Sequence, residues 1–189
     1  MKSIILMGIK HCGKSTQGKL LAKQFSCSFF DTDDIITERT GRTPRDIYSQ
    51  SGKDAFLEAE ADACDFLAQN ATTPCVIATG GGICNNQAAL DLLKQLGLFV
   101  FLNADETTAC DRIIKEIRIA ENGAIENLPA YIAKEHPNSI DDVRKSFHSF
   151  YMARQKIYHD ICDVQVDMKT AAKIENMNEI ISALKRVSL

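Results

Sequence analysis

The chain has 189 residues, 45% of them hydrophobic and 25% charged, with a formal net charge of −3. That length and apolar share suit one domain, residues 1–189, whose core needs no disulfide or metal staple, and the charged share argues against disorder. The slightly acidic balance excludes the broad basic footprint of a dedicated nucleic-acid binder and leaves room for a local anion pocket. Seven cysteines are scattered without a C-x-x-C pair, and only four histidines accompany them. That pattern speaks against a zinc site and a secreted disulfide framework, and for reduced thiols in a cytoplasmic protein. The opening apolar run stops at Gly8, too short for a signal peptide, and no run reaches the length of roughly 18 residues needed to span a membrane.

Short apolar runs alternate with longer amphipathic stretches along the whole chain. The first strand is predicted over 3–7 and leads into Gly8-Ile9-Lys10-His11-Cys12-Gly13-Lys14-Ser15, which satisfies G-x-x-x-x-G-K-[ST]. A helix over 14–25 follows, so the motif has the strand–loop–helix setting that its chemistry requires. Gly8 and Gly13 let the backbone curl its N–H groups around an anion, and the helix start adds its positive end. Lys14 would reach the outer phosphates of a nucleotide, and the Ser15 hydroxyl would ligate Mg²⁺. No N-K-x-D guanine-reading motif occurs, which disfavours a GTPase and points to the small metabolite and nucleotide kinases.

A second strand over 28–30 ends in Asp31-Thr32-Asp33-Asp34. Carboxylates at a strand's C-terminal end face the crevice where α/β proteins bind ligands, so one could support Mg²⁺ and the other accept a proton. The same residues could simply cap the helix predicted over 33–40. Thr43-Pro44 reads as the cap and first residue of a helix over 44–50, and another helix is predicted over 52–69. The third strand, 75–78, runs into Thr79-Gly80-Gly81-Gly82, either a ligand-facing turn with bare N–H groups or a plain link to the helix over 86–95. A strand over 98–102, helices over 107–120 and 140–161, a strand over 164–166 and a helix over 171–185 complete the pattern. Strands separated by such helices imply a parallel sheet covered on both faces, an α/β fold. Residues 121–142, with Gly123, Pro129 and Pro137, break the alternation and read as a surface excursion or, preferably, a lid.

The phosphate loop ending G-K-S-T, the D-T-D after the second strand and the G-G-G after the third together resemble the shikimate kinase family. The likeness extends through Gly41-Arg42-Thr43-Pro44-Arg45-Asp46-Ile47-Tyr48 and resumes at Ala153-Arg154-Gln155-Lys156-Ile157-Tyr158. It implies a P-loop kinase fold with a five-stranded parallel sheet. It also implies phosphoryl transfer from ATP, with Mg²⁺, to a ring hydroxyl of shikimate in aromatic amino acid biosynthesis. Carried over by position, Gly8, Gly13, Lys14, Ser15 and Thr16 serve the nucleotide, and Ser15 and Asp31 the metal. Asp33 takes the hydroxyl proton, Gly80, Gly81 and Gly82 line the substrate pocket, and Arg154 pairs with the substrate carboxylate. Arg112 falls where the family stacks an arginine on adenine. A monomer acting on a small hydroxylated anion is expected, with neither nucleic acid nor membrane as partner.

Two arginines of the family are missing. Leu57 stands in the F-R-x-x-E pattern (Phe56-Leu57-Glu58-Ala59-Glu60), and Leu128 stands in the R-P-L-L pattern. Losing the cationic partner of a buried carboxylate costs about 2–5 kcal/mol, roughly 30- to 4,000-fold in affinity. Arg118, Lys134, Arg144, Lys145 and Lys10 are the basic residues that could compensate. The alternative is a different polyol or sugar acid, as gluconate kinases use, or a nucleotide-binding module without transfer activity.

Overall fold

The computed structural model describes residues 2–71, 74–121, 123–170 and 173–187. Five strands form one parallel sheet in the order β2-β3-β1-β4-β7. They are β1 (Ser3–Met7), β2 (Ser28–Asp31), β3 (Cys75–Ala78), β4 (Gly97–Ala104) and β7 (Val164–Met168). Every residue of β1 and β3 is buried, as a strand covered on both faces must be. The helices on the two faces are α1 (Lys14–Phe25), α2 (Thr32–Thr40), α3 (Pro44–Asn70), α4 (Gln87–Leu96), α5 (Glu106–Ile114), α7 (Ile140–Ile161) and α8 (Lys173–Arg186). The helix predicted over 171–185 begins at residues outside the described ones.

Local chemistry accounts for the helix boundaries. Thr43 and Asp46 form a reciprocal capping box at the start of α3, with Pro44 in the first turn. The two helices expected over 44–50 and 52–69 are joined end to end, and the break survives as a kink at Gly52, whose φ is 87°. Ser139 caps α7 by accepting from the Asp142 N–H, so residues 140–142 belong to this helix and not to the excursion.

The stretch before α7 departs from expectation. Helix α5 ends at Ile114, not at residue 120, and residues 118–119 instead form strand β5 (Arg118–Ile119), paired antiparallel with β6 (Ile125–Glu126). The cause is Asn127, held at φ 60°, whose side-chain amide donates to the Glu116 carbonyl at 2.8 Å and replaces a further helical turn. Helix α6 (Ala130–Ala133) then packs on α7 through Tyr131, stacked on Phe150 with ring centroids 3.6 Å apart. Arg45 of α3 fastens this excursion by donating to the Asn127 side chain at 2.6 Å and the Leu128 carbonyl at 3.0 Å. Leu128 is buried in the core.

Candidate active site

The strand order places β1 at the centre of the sheet, flanked by β3 and β4. The loops leaving the C-terminal ends of β1, β2 and β3 therefore meet in one crevice, the place where open α/β sheets bind ligands. A cavity of about 1050 Å³ occupies it. Its wall includes Gly13, Lys14, Ser15, Thr16, Asp31, Asp33, Gly81, Gly82, Arg112 and Arg154. Gly8 and Gly80 do not line it, which departs from the expectation for Gly80.

The loop after β1 has the conformation that the glycine spacing demands. Gly8 and Gly13 sit at φ 144° and 102°, a region that side chains rarely tolerate. Helices α2, α3, α4, α5 and α7 carry side-chain caps from Asp31, Thr43, Asn86, Asp105 and Ser139. Helix α1 has Gly13 at that position, no side-chain cap and no acid in its first turn. Its N–H groups and positive end are thus open to an anion. The Lys14 ammonium donates to the Gly8 and Ile9 carbonyls at 2.9 and 3.0 Å, which stores the charge at the mouth of the cradle. Arg112 of α5 donates to the His11 carbonyl at 2.6 Å and so flanks the same loop.

The two acids after β2 occupy different roles. Asp31 caps α2 by accepting from the Asp33 N–H at 3.1 Å, and its other oxygen accepts from the Ser15 hydroxyl at 2.6 Å. Capping and the Ser15 link thus coexist in one carboxylate. Among the described residues, no cluster of three His, Cys, Asp or Glu side chains is placed to hold a metal alone. Ser15 with Asp31 suits Mg²⁺, which keeps most of its shell for phosphate oxygens and water. The Asp33 carboxyl has no hydrogen-bond partner among the described residues and opens onto the cavity. Burial by the surrounding protein and then the neighbouring Asp31 charge push its pKa up, against the pull of Lys14.

The glycine triplet brings opposite charges to adjacent positions. A Cβ on Gly80 would stand 3.0 Å from Glu60 Oε1 and 3.1 Å from Asp33 Oδ1. One on Gly81 would meet the Lys10 backbone nitrogen at 2.9 Å, and one on Gly82 would lie 4.0 Å from the Arg154 guanidinium. The expectation of three bare N–H groups is corrected at Gly80, whose N–H donates to the Thr32 hydroxyl at 3.0 Å. Tyr158, fully buried, donates its hydroxyl to the Gly81 carbonyl at 3.0 Å and stacks on Phe101. One turn earlier on α7, Arg154 rests on the Phe150 ring and donates to Cys84 Sγ at 2.9 Å.

The two leucines expected at the arginine positions of the motifs separate in space. Leu57 lines the cavity, whereas Leu128 is a core residue whose contribution near the site is a carbonyl held by Arg45. Glu60 received no role from sequence, because nothing in a helical F-x-x-x-E pattern announces burial. It is 0% exposed, accepts from the Asn86 amide at 3.0 Å, and is pushed up to about 7, chiefly by burial.

A glycine-rich anion cradle with its lysine, a Ser–Asp pair and an unpartnered aspartate, gathered at the edge of this sheet, define a P-loop kinase of small molecules. The shikimate kinase family model matches residues 10–185. The shikimate kinase of Syntrophus aciditrophicus is 31% identical over 181 residues, covering 95% of this chain and 89% of that one. The solved structure of shikimate kinase from Acinetobacter baumannii in complex with shikimate has a TM-score of 0.82 at 22% identity, covering 100% of this chain and 96% of that one. The shikimate kinase of Aquifex aeolicus has a TM-score of 0.72 at 26% identity, covering 99% and 98%. The chain belongs to the shikimate kinase family.

Proposed function

We propose that the protein transfers the γ-phosphoryl group of ATP to a hydroxyl of shikimate, giving shikimate 3-phosphate and ADP. The observation that carries this reading is the meeting of the uncapped α1 start, the Ser15–Asp31 pair and the unpartnered Asp33 carboxyl in a single cavity. Gly8, Gly13, Lys14, Ser15 and Thr16 hold the phosphates, and Arg112 borders the nucleotide end. Lys14 exchanges its two carbonyl partners for phosphate oxygens, a charge-assisted bond that strengthens as negative charge moves to the leaving group. Ser15 and Asp31 hold Mg²⁺, which supplies charge neutralisation on the phosphates when bound. The acceptor oxygen forms its bond to the phosphorus as the bond to the ADP oxygen breaks, and Asp33 takes the hydroxyl proton. Gly81 and Gly82 let the ring lie close to the backbone, and Arg154 faces its carboxylate.

The excursion before α7, including α6, covers this reaction and keeps water from competing for the phosphoryl group. Seven free thiols, five of them buried, support a reducing, cytoplasmic setting.

The test is ADP release by purified protein with ATP and Mg²⁺ against shikimate, gluconate and a panel of other hydroxy acids. Shikimate-dependent release is expected, and Lys14→Ala abolishes it. Asp33→Asn keeps ADP affinity but loses transfer by about 10²-fold or more. Release that depends on another polyol and not on shikimate overturns the substrate assignment. Full transfer in Asp33→Asn removes that residue from the chemistry.

A further inference from the structure

An acceptor with a carboxylate needs more positive charge than Arg154 alone offers, because both other arginines of the family pattern are leucines here. The basic residues of the excursion do not supply it. Arg144 is bonded to Asp111 at 2.8 Å and Lys134 lies 3.7 Å from Glu135. Neither these two nor Arg118 and Lys145 line the cavity. Arg45 does line it, but its guanidinium is taken up by Asn127 and the Leu128 carbonyl.

We propose that Lys10, at the second variable position of the phosphate loop, is the acceptor-anion ligand that works with Arg154 in place of the lost arginines. The inference rests on the shikimate kinase reading and deepens it. Lys10 is half-buried on the cavity wall, and its ammonium makes no hydrogen bond or ion pair among the described residues. Burial pulls its pKa down, Glu116 and Asp33 restore part of the charge, and Arg45 and Lys14 repel it. A half-buried cation without a direct partner, whose neighbouring acids do not offset its burial, is relieved by an anion entering the cavity.

The glycine triplet supplies the geometry. Gly80 abuts the Asp33 carboxyl, Gly81 the Lys10 backbone and Gly82 the Arg154 guanidinium. A hydroxylated ring acid lying over Gly81 and Gly82, with its hydroxyl against Asp33 and its carboxylate towards Arg154, passes Lys10 on the way. A competing location is Lys53 on α3, one turn before Leu57 and also lining the cavity. It is exposed, so an anion gains less there than beside the half-buried Lys10.

The experiment compares wild type, Lys10→Met, Lys10→Arg and Lys53→Met on shikimate and on its uncharged methyl ester, with ADP affinity and thermal melting as controls for folding. Lys10→Met is expected to raise the shikimate KM by about 30-fold, the lower end for a charge partner that is only half-buried, with kcat and the ATP KM within about twofold. The methyl ester should respond little to the same change, and Lys10→Arg should keep most of the affinity for the acid. Equal losses on acid and ester, a fall in kcat at constant KM, or no change at all each overturn the proposal. So does a loss in Lys53→Met with none in Lys10→Met, which moves the anion to α3. If wild type turns over a different hydroxy acid, the shikimate reading has failed, and the same acid–ester comparison on that compound still decides the role of Lys10. A wild type that neither binds nor turns over any of the acids overturns both.

Discussion

Glu60→Gln isolates the cost of burying a carboxyl beneath the active site. Glu60 is fully enclosed, with Asn86 donating to Oε2 and no partner for Oε1 among the described residues. Asp33 and Arg154 are the charged groups that act on it, the first raising and the second lowering its pKa. Its pKa moves from the ordinary 4.5 to about 7 on folding. Folding therefore binds a proton, and the benefit is complete below pH 4.5 and lost as pH rises through about 7. The difference corresponds to about 3 kcal/mol of stability lost on the alkaline side. Glutamine matches the protonated acid in shape and keeps the Asn86 bond. The variant should melt close to wild type at pH 5 and roughly 6–12 °C above it at pH 8.5. Melting curves across that range read the difference directly. A gap between variant and wild type that stays constant with pH would mean that Glu60 ionises in the folded protein without penalty, and would refute the argument.

Asp31→Asn should raise the Mg²⁺ concentration for half-maximal activity by about tenfold, since Ser15 loses its charged partner; an unchanged Mg²⁺ titration restricts Asp31 to capping α2. Gly97→Ala drives a Cβ into the Ser3 carbonyl oxygen across the β1–β4 pair, so a loss of about 3 kcal/mol or more is expected in urea titrations. Leu57→Arg, facing the cavity opposite Arg154, should lower the shikimate KM, and Leu57→Lys should do so less because it lacks the planar fork; a folded variant with no change places Leu57 outside the pocket's working surface. Arg45→Ala should speed hydrogen exchange around 127–133, and an ATP analogue with shikimate should slow it in wild type; slow exchange in both free proteins argues for a static excursion.

The sequence determined whatever depends on residues a few positions apart. The phosphate loop between β1 and α1, the Thr43–Asp46 box, the break at Gly52 and the buried runs of β1 and β3 follow from spacing, caps and periodicity, whose interactions span one or two turns. The motif likeness added which chemistry those segments serve. Tertiary structure decided what depends on partners distant in the chain. The end of α5 was set by Asn127, 11 positions beyond the carbonyl it occupies. Leu57 and Leu128 look alike in sequence, yet Leu57 faces the cavity and Leu128 the core, because α3 and the excursion meet through Arg45 across 83 positions. The same holds for the cations: whether a lysine or arginine is free or already bonded depends on what folding brings beside it, and Lys10, Arg45 and Arg144 are indistinguishable until those neighbours are known. Charge state follows the same rule, since Glu60 and Asp33 owe their raised pKa values first to desolvation, which only packing produces.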